Sequence, residues 1–109
     1  TKDMLLCSGY NVYPRTIEEA IYAHPSVAEV CVIGLPDEYR GQMPKAFVVL
    51  KAGAPALGLD ELKAFLKDKL GKHEMIGALE VRAVLPKTPV GKLSKQALAA
   101  EEAAKGAPT

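Results

Sequence analysis

The sequence has little charge of one sign, few cysteines and no long apolar segment, and each shortage narrows what the chain can be. Its 14 basic and 13 acidic side chains leave a formal net charge of +1, far from the basic balance of a module that neutralises a phosphate backbone, so no nucleic-acid partner is expected. The imbalance is only local: residues 1–60 carry five basic and seven acidic side chains and residues 61–109 nine and six, which makes the second half mildly basic. The cysteines are two, Cys7 and Cys31. Both sit in apolar runs, which suits buried reduced thiols and a cytoplasmic setting better than a secreted disulfide framework. The longest purely apolar stretches are about five residues, against the roughly 20 that a spanning helix needs, so neither membrane insertion nor a leader peptide is expected. Of the two histidines, His24 ends a helical pattern before Pro25 and reads as a surface or packing residue, while His73 has no second ligand nearby. No metal site is expected.

What is present is enough for one core: 109 residues, 49% of them hydrophobic, form a single domain spanning 1–109 that needs no disulfide or metal staple. A first residue Thr1 rather than Met fits a piece of a longer chain, with removal of an initiator methionine as the alternative. Residues 3–7 read as a strand, Ser8-Gly9-Tyr10-Asn11 as a tight loop, and Val12-Tyr13 as a second strand ending at Pro14. Pro14 suits a first helical turn, Ile17, Ala20 and Ile21 follow at helical spacing, and Glu18 and Glu19 stand near the positive end. Residues 27–35 and 46–50 are rich in β-branched and apolar side chains and predict two central strands joined by a loop or short turn over 36–41. A connector over 51–58 leads to a helix capped by Asp60, with Leu62, Phe65, Leu66 and Leu70 on one face and lysines 63, 67, 69 and 72 as a solvated one. Alternation over 79–85 predicts a half-buried strand, and Ser94 a cap for a closing helix through about Lys105, with 101–109 as a frayed tail. The order β-β-α-β-β-α-β-α gives an α+β fold: a small mixed or antiparallel sheet with three helices able to cover one face.

Two segments carry possible chemistry. Pro86-Lys87-Thr88-Pro89-Val90-Gly91-Lys92-Leu93 puts Lys92 just after a glycine and just before a helix, from where its ammonium can meet phosphate or carboxylate oxygens. On spacing alone an ordinary solvated turn lysine is the favoured reading. A phosphate-binding P-loop is excluded, because it needs glycine where Pro86 stands and Ser or Thr where Leu93 stands. In the second segment, Ser8, Gly9 and Tyr10 form a turn whose glycine lets backbone approach a ligand closely, although taken by itself it is an unremarkable hairpin.

Together, in this order, the two segments resemble the C-terminal domain of the adenylate-forming superfamily of acyl-CoA synthetases, nonribosomal peptide adenylation domains and firefly luciferase. The likeness runs from Lys2 to about Ala100. Its first anchor is Lys2-Asp3-Met4-Leu5-Leu6-Cys7-Ser8-Gly9-Tyr10-Asn11-Val12-Tyr13-Pro14 with Ile17-Glu18, and its last Leu85-Pro86-Lys87-Thr88 with Gly91-Lys92-Leu93. The middle block is similar to fatty-acyl-CoA synthetases: His24-Pro25-Ser26-Val27, Gly34-Leu35-Pro36-Asp37-Glu38-Tyr39-Arg40-Gly41 and Pro44-Lys45-Ala46-Phe47-Val48-Val49.

The resemblance implies a two-step ligase in which ATP and then coenzyme A are substrates, Mg2+ accompanies ATP outside this domain, and a large N-terminal domain of the same enzyme is the partner. It implies that Lys92 bridges carboxylate and phosphate oxygens during adenylation, and that Ser8, Gly9 and Tyr10 line the pantetheine channel during thioester formation. The isolated domain is expected to be inactive. One stretch departs from the family: Lys72-His73-Glu74-Met75-Ile76-Gly77 stands where many members have an aromatic residue, a lysine and then a proline near the CoA nucleotide. Lys72 and Arg82 are the residues expected to offset the charge of Glu74. The alternatives are an adenylation domain that loads a carrier protein and a stand-alone, non-catalytic binding module.

Overall fold

Ser8 and Gly9 both take positive φ, 53° and 82°, the pairing that closes a two-residue hairpin with the twist its strands require. The computed structural model, which describes residues 3–106, accordingly joins β1 (Leu5–Cys7) to β2 (Tyr10–Val12), with Cys7 opposite Tyr10. Helix α1 (Pro14–Tyr22) begins on Pro14 and buries Ile17 and Ile21. The expected use of its two glutamates at the helix dipole is not what is found. Glu18 accepts the Val32 backbone N–H at 2.8 Å and Glu19 pairs with Arg15 one turn earlier at 3.5 Å, because each has a nearer partner than the helix end.

The long strands β3 (Val27–Asp37) and β4 (Gly41–Leu50) pair along nearly their whole length. Of the loop or short turn expected over 36–41 the short turn is found, confined to 38–40, and β4 starts five residues before the expected Ala46. Pro44 looks like a breaker in sequence, yet it faces Gly34 at a register position two residues from Val32. The Val32 N–H turns outward to Glu18, so by alternation the Pro44–Gly34 pair exchanges no ladder bonds and the missing N–H costs nothing. On β4's other side β1 pairs antiparallel at Gly41, and β5 (Ala78–Val81) pairs parallel over 45–48. This completes the mixed five-stranded sheet.

The helices cover both faces of the sheet rather than one. Val30, Val32, Ala46 and Val48 pack towards α1 and α2 (Leu59–Leu66), whereas Cys31, Ile33 and Phe47 pack with Leu85 and with Leu98 of α3 (Lys95–Gly106). A strand buried on both faces reads as a continuous apolar run, which is the pattern of 30–33. The same division shortens β5. Leu79 belongs to the α1/α2 side and Leu85 to the α3 side, and a strand of period two cannot serve both, so the chain leaves the sheet after the Arg82 N–H donates to Val48 at 2.8 Å. Helix α2 starts two residues earlier than a cap at Asp60 predicts: its N-cap is Gly58, whose N–H donates to the Glu61 carboxylate at 3.5 Å.

Six of the nine residues of the expected frayed tail, 101–106, are the end of α3. Glu102 and Glu101 hold Lys45 (3.0 Å) and Arg82 (2.6 Å), and Lys105 meets Glu80 and Glu102 at 2.8 Å each. Residues 107–109 lie outside the described residues.

Candidate functional site

The hairpin tip is the first candidate. The Ser8 N–H donates to the Arg40 carbonyl at 2.7 Å, which docks the tip onto the β3–β4 turn. A side chain built on Gly9 would meet nothing within 4 Å, so the tip looks into open space. The Tyr10 ring, 56% exposed, stacks on His73 with ring centroids 3.7 Å apart and planes 14° from parallel. His73 lies in a single 3-10 turn, Lys72–Glu74, that the Glu74 carboxylate closes by accepting the Gly71 N–H at 2.7 Å. The Arg40 guanidinium reaches across to the Met75 carbonyl at 3.3 Å. Ser8, Gly9, Tyr10, Arg40 and the 72–75 stretch thus form one end of the sheet. Arg82, expected to offset Glu74 there, does not: its guanidinium is committed to Glu101 at 2.6 Å and Glu80 at 3.6 Å on the α3 side. Lysines 63, 67, 69 and 72 are exposed as expected but do not share a helix face: only Lys63 lies in α2, Lys67 and Lys69 follow its end, with Lys69 near Asp68 and over the Phe65 ring, and Lys72 opens the 3-10 turn.

The Lys92 loop is the second candidate, and it is a closed hairpin. The Thr88 N–H donates to the Lys92 carbonyl (2.6 Å), the Lys92 N–H to the Thr88 hydroxyl (3.2 Å), and the Ser94 N–H to the Pro86 carbonyl (2.8 Å). Gly91 takes φ +87° at the tight bend. Ser94 then caps α3 as expected, its hydroxyl accepting the Ala97 N–H at 3.1 Å. Lys92 is exposed and enters no ion pair among the described residues, whereas its neighbours are anchored: Lys87 to Glu29 at 3.3 Å, and Lys95 to Asp3 at 2.7 Å and Glu18 at 3.1 Å.

These contacts place the two candidates at opposite ends of the sheet. The Ser8 tip is tied to the turn that follows Asp37, while the Lys92 loop is tied to Glu29 near the start of β3. At about 3.3 Å per residue the intervening strand measures about 25 Å. Each end carries an exposed apolar tip: Tyr39 is 90% exposed beside Arg40, and Val90 80% exposed beside Gly91. Sequence reasoning singled out Lys92, Ser8, Gly9 and Tyr10 as candidates but gave no sign of the Tyr10–His73 stack or of the ion triad of Lys95.

A family model described as the AMP-binding enzyme C-terminal domain matches residues 16–92. A long-chain-fatty-acid–CoA ligase of Bacillus subtilis (strain 168) is 48% identical over 101 residues, which are 93% of this chain and 18% of that protein. The structure of a Brucella canis acyl-CoA synthetase superposes with a TM-score of 0.89 at 36% identity, covering 96% of this chain and 20% of that one. A Mycobacterium tuberculosis fatty acyl CoA synthetase does so with a TM-score of 0.84 at 32% identity, covering 94% and 20%. The chain therefore spans about a fifth of the length of the relatives it matches.

Proposed function

The chain belongs to the family of AMP-binding enzyme C-terminal domains, and from that premise we propose that it is the mobile C-terminal domain of a ligase that joins a fatty or related carboxylic acid to coenzyme A. In the first step a carboxylate oxygen attacks the α-phosphate of ATP, and pyrophosphate leaves with the electrons of the broken P–O bond. In the second the thiol of CoA attacks the acyl carbon, gives up its proton, and AMP leaves. Lys92 faces the first step: its unpaired ammonium meets carboxylate and phosphate oxygens as negative charge develops on them. A preorganised contact of this kind is worth about 3–4 kcal/mol, or 10²–10³ in rate. Ser8, Gly9 and Tyr10 face the second, with bare Gly9 leaving width for the pantetheine arm and the Tyr10–His73 stack forming a flat wall.

The observation that carries this reading is the separation of Lys92 and Gly9 at opposite ends of one sheet. The single carboxyl group that reacts in both steps cannot stand beside both ends in one orientation, so in this reading the domain turns between steps and presents each end in turn to the remainder of the enzyme. In this reading Mg2+ accompanies the ATP phosphates outside this domain. A cytoplasmic setting belongs to the same reading and is supported by two buried, unpaired thiols. The experiment is an incubation of the full-length ligase with ATP, CoA and a set of carboxylic acids. One pyrophosphate and one AMP per thioester are expected with at least one acid. Pyrophosphate release with thioester formed only on a carrier protein would change the acceptor, and no pyrophosphate with any acid would overturn the reading.

A further inference from the structure

The hydrogen bonds inside residues 86–94 make the Lys92 loop rigid but do not fix how the loop sits on the domain. Ion pairs on either side do so. Before the loop, Lys87 meets Glu29 at 3.3 Å in an exposed pair of the kind that contributes little. After it, Lys95, the first residue of α3, is better held: its Nζ lies 2.7 Å from Asp3 Oδ2 and 3.1 Å from Glu18 Oε2. Glu18 is itself fixed, since the same oxygen accepts the Val32 N–H at 2.8 Å. Burial opposes the Lys95 charge, yet the hydrogen bonds and negative charges of Asp3 and Glu18 outweigh it and hold its pKa above the usual lysine value. Two carboxylates distant in sequence, Asp3 just before β1 and Glu18 in the middle of α1, converge on the ammonium of the residue that follows the Ser94 cap.

Asp3 is the notable member. It stands two residues before β1, and in an enzyme whose C-terminal domain this chain forms, the large part precedes it. We propose that Lys95 is a positioning residue for adenylation: through Asp3 and Glu18 it fixes the base of the Lys92 loop to the segment by which the domain is joined to the rest of the enzyme, and so sets where the Lys92 ammonium stands. The proposal rests on the reading above that Lys92 serves the first step. The Ser8-Gly9 tip at the far end of β1 is held instead by the Ser8 N–H on the Arg40 carbonyl at 2.7 Å, a bond in which none of Lys95, Asp3 and Glu18 takes part.

The test is made on the full-length ligase with Lys95→Met, Lys95→Arg, Asp3→Asn and Lys92→Ala, measuring acyl-adenylate formation and thioester formation from preformed adenylate separately. A misplaced catalytic charge costs about 10–100-fold. Lys95→Met is expected to lower kcat for adenylate formation by that factor with the KM for ATP and the second step within about twofold, while Lys95→Arg restores most of the rate. Asp3→Asn alters an exposed carboxylate only and is expected to show the same split more weakly, which keeps the test usable if Lys95→Met does not fold. Equal slowing of both steps, or a loss that Lys95→Arg does not restore, makes Lys95 structural and overturns the proposal. Lys92→Ala separates the two failures: if it abolishes adenylation while Lys95→Met and Asp3→Asn are as fast as wild type, only this proposal falls. If Lys92→Ala itself adenylates normally, the premise falls first.

Discussion

Gly9→Leu separates the stability of the hairpin from its service to the thiol. Gly9 holds φ +82° and a Cβ placed on it meets nothing within 4 Å, so the substitution is penalised by backbone conformation alone. An L-residue in the left-handed region costs about 1–2 kcal/mol. The exposed leucine gains no packing to offset it. In a domain of this size each kcal/mol lowers Tm by about 4–8 °C, and thermal unfolding of wild type and variant reads the cost directly. Gly34 marks the contrast, since a Cβ there would stand 2.5 Å from Leu5 Cδ2 inside the sheet. In the full-length ligase Gly9→Leu should leave acyl-adenylate formation within about twofold and slow thioester formation at least tenfold, about 1.4 kcal/mol of barrier. Gly9→Asn supplies the control: asparagine tolerates the left-handed region, so it should recover most of the stability while still obstructing the channel. Thioester formation at the wild-type rate in a folded Gly9→Leu enzyme would refute the reasoning, as would equal loss in both steps.

Three further outcomes follow from the packing and the charges. Leu98 is fully buried and, with Cys31, Ile33, Phe47 and Leu85, seats α3 on the sheet; Leu98→Ala should cost about 2–5 kcal/mol in a denaturant titration. Hydrogen bonds from Lys105, with Lys45 adding to them against the opposing effect of burial, hold the Glu80 and Glu102 carboxyls below their ordinary 4.5. Because the folded pKa is the lower one, their stabilisation is present above about pH 4.5 and is lost as pH falls through the folded values. Acid titration followed by circular dichroism should show this, with a shallower loss in Glu102→Gln. Burial pushes the Cys31 thiol up to about 11 against the pull of Lys95, so a thiol reagent at pH 8 should modify it only as fast as the domain opens. Rapid labelling without denaturant would contradict its placement in the core.

Much of this was legible along the chain because the determinants are local. Ser8-Gly9 announces its own turn, Pro14 its own helix start, and Ser94 its own cap. What stayed hidden depends on pairing at long range. Pro44 reads as a strand breaker until the register sets it opposite Gly34, and the alternation over 79–85 conceals that Leu79 and Leu85 belong to opposite faces of the sheet. The site divides in the same way. Lys92 and Gly9 stand out within short motifs, whereas Tyr10 on His73, and Lys95 on an aspartate 92 residues away, follow no local pattern. The Glu74 carboxylate, read in sequence only as a charge, also closes the 3-10 turn by accepting the Gly71 N–H, a use that only the structure reveals.

The central claim is that Lys92 serves one half of a two-step reaction and stands apart from the other half. Its most direct test is single-turnover chemistry with Lys92→Ala in the full-length ligase, starting once from ATP and carboxylic acid and once from preformed acyl-adenylate and CoA. The account predicts a fall of about 10²–10³ in the first reaction and a rate within about twofold of wild type in the second. Equal rates for variant and wild type from ATP, or an equal collapse in both reactions, would contradict it.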